Sequence, residues 1–185
     1  QNFSAWAALG FTVDDDTILL PNGALRPADP GAGYHGLVTG DAPAGATHPN
    51  GAVWLDHVVI TTPTLDATSA EVEAVLGLPR RRLRETSRVR QAFHRFDPVG
   101  DAPGCIVELV ESPSAAAAAF WGLVVVVDDL AGVCRSLGPD VISPPKPAVQ
   151  PDRQIATLRS AAGLGFPVAL MTPEHVPGGP GEVSP

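Results

Sequence analysis

The sequence predicts an α+β fold in which two βαβββ modules follow one another along the chain. Three observations support this prediction. A strand–helix–strand–strand–strand pattern spans residues 53–112, the same order recurs over residues 119–173, and each half ends its helix with a Leu-Gly pair, at Gly77 and Gly138. An ordered internal repeat is stronger evidence of architecture than any single motif.

The first module begins with a β-branched, apolar strand pattern at residues 53–61. Apolar residues at helical spacing then predict a helix over residues 65–76, which Gly77 ends because glycine readily adopts the left-handed conformation of a helix C-terminus. Turn-forming residues separate the remaining strand patterns. These three strands are predicted at residues 80–86, 88–96 and 105–111.

The second module opens with the strongest strand pattern in the chain, at residues 120–127. Asp128 and Asp129 are typical capping residues before the helix predicted at about residues 130–137. Residues 144–152 contain four prolines and are predicted to form a loop, because proline lacks the N–H group of a strand ladder. Shorter strands are predicted at residues 141–143, 153–159 and 167–172.

The domain is predicted to span residues 51–173, with modules at about 53–112 and 119–173. Residues 1–50 are predicted to be an N-terminal extension or a partial module with a linker. Within this segment we predict a short helix at residues 5–10 and short strands at residues 11–13 and 17–20. Residues 174–185 have the Pro- and Gly-rich composition of a flexible tail.

Composition and charge exclude several partners. The formal net charge of −8 opposes binding to the phosphate backbone of a nucleic acid, and the longest apolar run, residues 115–127, is too short to span a membrane. Cys105 and Cys134 lie in apolar stretches and indicate buried thiols of a cytoplasmic protein, with a single disulfide as the alternative. Six arginines between residues 80 and 90 indicate either a charged edge strand or an anion pocket.

Three short segments resemble a known family. They are LDHVV at residues 55–59, VELVE at residues 107–111 and VVDDL at residues 126–130. Their order and spacing resemble those of the vicinal oxygen chelate superfamily, which includes glyoxalases, bleomycin resistance proteins and dioxygenases. The resemblance covers about residues 53–173 and implies that the two modules form an open, glyoxalase-like barrel around a pocket.

In metal-binding members of that family, the first strand of each module supplies a His and the last strand a Glu. The resemblance places His57 and Glu108 at the first two ligand positions, and Gly122 and Ala169 at the other two. Neither of the latter has a metal-binding side chain, so the site falls short of the three protein ligands typical of a catalytic centre. His94 would be a third ligand if it faced the same side as Glu108; otherwise it is an edge or surface histidine.

We therefore predict His57 and Glu108 as an acid–base or ligand-holding pair and as the only two residues of an incomplete metal site. Residues on strands that line the pocket in the family are predicted to contact the ligand. No cofactor is expected, with a divalent metal as the alternative. The predicted ligand contacts are Gln91, His94, Trp121 and Arg153.

The resemblance and the missing ligands favour a protein that sequesters or recognises a small organic molecule. Metal-free antibiotic-resistance proteins of the family act in this way. The alternative is a lyase, isomerase or dioxygenase that uses His57 and Glu108 with a metal or as an acid–base pair. A third hypothesis is a regulatory module that contacts a partner protein. The expected partner is a small molecule, with a homodimer as a further expectation.

Overall fold

The computed structural model describes residues 3–26, 37–38 and 46–174. An N-terminal segment contributes α1 (Phe3–Ala8), β1 (Ile18–Leu20), β2 (Gly23–Leu25) and β3 (Leu37–Val38). The first module comprises β4 (Ala52–Thr62), α2 (Leu65–Leu76), β5 (Arg82–Glu85), β6 (Arg90–Arg95) and β7 (Ile106–Glu111). The second comprises β8 (Ala119–Val127), α3 (Leu130–Leu137), β9 (Lys146–Pro147), β10 (Gln154–Thr157), a 3-10 turn (Ser160–Ala162) and β11 (Val168–Met171).

The two modules share one eight-stranded sheet in the order β5-β6-β7-β4-β8-β11-β10-β9. Within each module the first strand runs parallel to the last, β4 beside β7 and β8 beside β11. The modules meet where β4 and β8 pair antiparallel. This arrangement confirms the predicted α+β fold of two βαβββ modules.

Strand register agrees with the internal repeat. Val59 pairs with Glu108 in the first module, and Val124 pairs with Ala169 in the second. The alignment that sets His57 on Gly122 also sets Val59 on Val124 and Glu108 on Ala169. The positions compared from sequence are therefore structurally equivalent.

The sheet curves so that its two edge strands approach each other. Arg82 and Arg84 of β5 line the same cavity as Lys146 and Pro147 of β9, although six strands separate β5 from β9. We call the side that encloses this cavity the inner face. Helices α2 and α3 pack on the outer face, against β6, β7 and β10, where most of the apolar core is buried.

The N-terminal segment packs into the same core, with the Trp6 and Phe11 rings 5.0 Å apart. The strand predicted at residues 11–13 is wrong: those residues form no strand. An isolated bridge follows between Asp14 and Thr17, and β1 begins at Ile18. Strands β1 to β3 form a separate sheet. Most of the predicted linker, and the predicted tail after Glu174, lie outside the described residues.

The second module differs from prediction at two places. Residues 141–143 form only a bridge between Ile142 and Leu158, and β9 lies inside the proline-rich stretch that was predicted to be a loop. Proline is tolerated in β9 because an edge strand leaves one side of its backbone unpaired. In the part of the chain that the structure describes, no helix is long and apolar enough to cross a membrane.

Both cysteines are free thiols, but only Cys105 is buried as predicted, whereas Cys134 is partly exposed. Burial raises the pKa of the Cys105 thiol to about 12. Cys105 therefore stays protonated at neutral pH and is a poor nucleophile.

Candidate functional site

A bulge in β4 brings Asp56 and His57 side by side. Leu55 pairs with Val125 and His57 pairs with Val124, so two residues of β4 face one residue of β8. A bulge redirects a side chain that would otherwise alternate to the opposite face. As a result, Asp56 Oδ2 lies 2.7 Å from His57 Nδ1.

Asn22 of the N-terminal segment fixes the strand immediately before this bulge. Its amide donates to the Leu55 carbonyl at 2.8 Å, and the Leu55 N–H donates to Asn22 Oδ1 at 2.9 Å. Asn22 also donates to the Pro103 carbonyl at 2.8 Å and is only 2% exposed. A buried amide with its hydrogen-bonding groups satisfied holds the backbone in one position.

His57 and Glu108 face each other across the inner face, with His57 Nε2 3.6 Å from Glu108 Oε2. Because Asp56 bonds to Nδ1, Nε2 is the ring nitrogen directed toward Glu108 and the cavity. Gln91 donates to the other oxygen of Glu108, and Arg84 Nη1 donates to Gln91 Oε1 at 3.0 Å. The pair is therefore oriented from both sides, as a base or proton donor requires.

Behind His57 lies a buried ion pair. Arg153 Nη2 is 2.7 Å from Asp56 Oδ1, and both side chains are 8% exposed. Arg153 Nε also donates to the Thr172 carbonyl at 2.9 Å. Burial alone would raise the pKa of the Asp56 carboxyl, but the hydrogen bonds and charges of His57 and Arg153 outweigh it and lower that pKa. Asp56 therefore remains a carboxylate beside His57.

Two adjoining cavities on the inner face share His57, Glu108, Ile155 and Thr157 in their linings. The cationic cavity, about 670 Å³, extends toward β5 and β9. The apolar cavity, about 520 Å³, extends along β8 and β11, and Trp121, which is 52% exposed, lines it. The His57–Glu108 pair thus lies where a polar chamber meets an apolar one.

His94 is on the opposite face of the sheet. It is fully buried beneath α2, with Nδ1 2.7 Å from the Leu78 carbonyl and Nε2 3.0 Å from Ser69 Oγ. Strand alternation sends Gln91 and Phe93 to the inner face and His94 to the outer one. The expectation that His94 joins the pocket or a ligand set is wrong, and so is the alternative of a surface histidine.

The other three predicted ligand contacts, Gln91, Trp121 and Arg153, line three different cavities. Gln91 lines the cationic cavity beside Glu108, and Trp121 lines the apolar cavity. Arg153 lines neither, because its guanidinium is directed to Asp56; it borders a smaller cavity of about 360 Å³ behind the site. Contact of these side chains with a ligand remains a prediction.

The donor set does not fit a divalent metal. Among the described residues there is no group of three or more His, Cys, Asp or Glu side chains that could hold one. A Cβ at Gly122 would collide with the Pro167 carbonyl oxygen, so that position has no room for a ligand side chain. Two facing donors fall short of a catalytic metal site.

Sequence reasoning missed Asn22 and the role of Asp56. Asp56 lies inside the LDHVV segment, where a regular strand would direct it away from His57. Asn22 lies between Pro21 and Gly23, a pattern typical of a turn. No local pattern indicates its contact with Leu55, which is 33 residues away.

No protein-family model and no curated protein matches the sequence. Solved structures do match. A variant of methylmalonyl-CoA epimerase from Streptomyces coelicolor, in complex with 2-nitronate-propionyl-CoA, is 17% identical with a TM-score of 0.55, over 68% of this chain and 97% of that one. The epimerase from Mycobacterium tuberculosis is 19% identical with a TM-score of 0.53, over 68% of this chain and 91% of that one.

A further methylmalonyl-CoA epimerase, in complex with methylmalonyl-CoA and NH4+, is 17% identical with a TM-score of 0.53, over 66% of this chain and 95% of that one. These epimerases are members of the vicinal oxygen chelate superfamily. The likeness is distant and establishes a glyoxalase-like fold for this chain. It assigns no role to any of its residues.

Proposed function

We propose that the inner face binds a small organic molecule without a metal, with a polar group of the ligand held between His57 and Glu108. The observation that carries this proposal is the pair of adjoining cavities, about 670 and 520 Å³, that meet at these two side chains. Each lies within the range of about 300–1,000 Å³ that is typical of small-molecule pockets.

Two further observations support binding. The pair is oriented before any ligand arrives, because Asp56 and Gln91 hold His57 and Glu108 by hydrogen bonds. A site already held in its binding geometry loses less conformational freedom when a ligand binds. In addition, two epimerases of this fold are described in complex with small organic molecules. Such a site can sequester or recognise a ligand without a metal.

Thr157→Trp tests the proposal by filling the junction between the two cavities, where Thr157 lines both. The probe is N-phenyl-1-naphthylamine, a neutral aromatic molecule whose fluorescence rises in an apolar site. We expect saturable binding to the wild type, unchanged by EDTA, and a loss of about tenfold or more in affinity for the variant, equivalent to about 1.4 kcal/mol.

Ser87→Trp is the matched control. Ser87 is exposed in the turn between β5 and β6, so this substitution adds the same side chain outside both cavities. Its affinity for the probe should equal that of the wild type. Equal binding to Thr157→Trp and Ser87→Trp would place the probe elsewhere and contradict the proposal. Loss of wild-type binding on adding EDTA would contradict its metal-free character.

A metal-free acid–base enzyme is the second candidate. The observation that favours it is the Asp56–His57 hydrogen bond, which directs Nε2 toward Glu108 and the shared part of the cavities. A histidine oriented by a carboxylate, with a second carboxylate opposite, can remove a proton and return it. The epimerase neighbours suggest a carbon acid such as methylmalonyl-CoA as the first substrate to try.

Deuterium incorporation into methylmalonyl-CoA in D2O, followed by mass spectrometry, tests this candidate. We expect the wild type to exchange faster than the uncatalysed background. His57→Gln and Glu108→Gln should each slow the exchange by about 10²–10⁴-fold, the contribution of general acid–base catalysis. Glu73→Gln, a change on the exposed side of α2, should exchange like the wild type. Exchange by His57→Gln at the wild-type rate would contradict an acid–base role.

A further inference from the structure

We propose that Arg82, Arg84 and Lys146 form an anion-binding site at the polar end of the cationic cavity. The ligand would then be an organic anion with an apolar body. This inference rests on the proposed function and specifies its ligand: a carboxylate, sulfonate or phosphate group would lie at β5 and β9, and the apolar body beneath Trp121.

The direction of the two arginines is the first argument. On the edge strand β5, Arg82 pairs with Phe93 and Arg84 pairs with Gln91, and these partners line the inner-face cavity. Directly opposed residues of antiparallel strands share a face, so both arginines project inward. Protection of an edge strand needs charge at the edge but does not require two cations to line a cavity.

The pairing of the charges is the second argument. Arg80 and Arg90, from the same arginine-rich stretch, are neutralised by carboxylates: Arg80 by Asp66 at 2.8 Å, and Arg90 by Asp66, Glu85 and Glu111. Arg82, in contrast, lies 5.9 Å over the Phe93 ring, and Arg84 donates to the neutral Gln91. Within the described residues, neither of these two arginines has a carboxylate partner.

Lys146 contributes a third cation from the opposite edge of the sheet. Like the two arginines, it forms no ion pair with any residue that the structure describes. The carboxylate among the described lining residues is Glu108, at the far end beside His57. A cationic pocket in a chain of net charge −8 is a local concentration of positive charge, which attracts a small anion rather than a nucleic acid.

The two cavities together define the shape of the ligand. From the three cations, the space continues past His57 and Glu108 into the apolar cavity, whose walls include Val59, Leu123 and Pro167. A complementary molecule carries its charge at one end and its apolar part at the other. Guanidinium groups favour planar or multidentate oxyanions, because each presents several N–H donors in a fixed geometry.

Two fluorescent probes of the same skeleton test the anion site. 8-Anilinonaphthalene-1-sulfonate carries a sulfonate that N-phenyl-1-naphthylamine lacks. We expect the wild type to bind the sulfonate about tenfold more tightly at low salt, with a smaller preference at high salt because ions screen exposed charges. Competition with octanoate and with octyl phosphate then shows which oxyanion the site prefers.

Charge variants locate the effect. The double variant Arg82→Gln/Arg84→Gln should lose about tenfold in affinity for the sulfonate probe, a larger loss than for the neutral probe, which Arg84 affects only through its hydrogen bond to Gln91. Lys146→Gln should also lower the affinity for the sulfonate probe. The matched control Arg81→Gln/Arg88→Gln removes the same net charge from exposed side chains outside both cavities and should leave both affinities at wild-type values.

The outcomes separate the two proposals. If the neutral probe binds but the sulfonate probe is insensitive to the Arg82/Arg84 change, or the control weakens it equally, the anion site is wrong and the binding function stands. If the wild type binds neither probe, the proposed function fails and the anion site fails with it. Unaltered circular dichroism spectra of the variants show that loss of binding is not loss of folding.

Discussion

Replacing Asp56 with asparagine is expected to lower the free energy of unfolding by about 3–5 kcal/mol, the cost of removing one partner from a buried ion pair. Arg153 would keep its charge in a site where its side chain is only 8% exposed. An amide oxygen can accept a hydrogen bond from the guanidinium but cannot neutralise it. Urea denaturation followed by circular dichroism measures the change.

The double variant Asp56→Asn/Arg153→Met is the informative companion. It removes the unpaired cation as well, so it should be more stable than Asp56→Asn alone. The exposed pair of Arg80 and Asp66 supplies a matched control, and Arg80→Met should change stability little because surface ion pairs are weak. Equal losses for Asp56→Asn and Arg80→Met would contradict the role assigned to the buried pair.

The same ion pair should make stability depend on acid pH. The pKa of Asp56 is lowered in the folded protein relative to its ordinary value of 3.8. Below that ordinary value the unfolded chain binds a proton that folded Asp56 still resists, so folding loses free energy as the pH falls. The stabilisation is complete above about pH 5, and the wild type should lose more stability than Asp56→Asn as the pH falls through 3.8 and below it.

The fold could largely be predicted from the sequence, because apolar periodicity and helix-ending glycines are local. Helix α2 has the predicted bounds, residues 65–76, and Gly77 ends it with a positive φ of 67°. The strand at Lys146–Pro147 could not be predicted in the same way. It forms because β10 offers it an edge partner, and that partner is chosen by tertiary structure.

The candidate site could be predicted only in part. His57 and Glu108 follow from the family resemblance, and the register that brings them together is that of β4 and β7. The face of the sheet on which His94 lies could not be predicted, because it follows from the register of β6 on β7. That register depends on the loop between the two strands and not on the identity of either strand's residues. The β4 bulge depends on contacts with β8 and Asn22, both distant in sequence.

Gly122 lies where the second module would need a metal ligand, and its backbone approaches Pro167 too closely for a side chain. Gly122→Ala is expected to lower the free energy of unfolding by about 3 kcal/mol, the upper end of the usual cost of overpacking. The new methyl group would collide with the Pro167 carbonyl oxygen, which also accepts the Leu123 N–H at 3.1 Å. All the atoms nearest to the new methyl group belong to Pro167, so no flexible side chain can move away to relieve the collision.

Gly165→Ala separates this collision from the ordinary cost of replacing a glycine. Gly165 has a φ of +79° and nothing within 4 Å of an added Cβ, so its variant should lose only about 1 kcal/mol, from backbone conformation alone. Thermal and urea unfolding of both variants measure the difference. If Gly122→Ala is no less stable than Gly165→Ala, there is room at position 122, and Gly122→His could then supply a third metal ligand. If it is much less stable, the close approach of β8 to Pro167 itself excludes a ligand at that position, and the incomplete donor set is built into the packing of the second module.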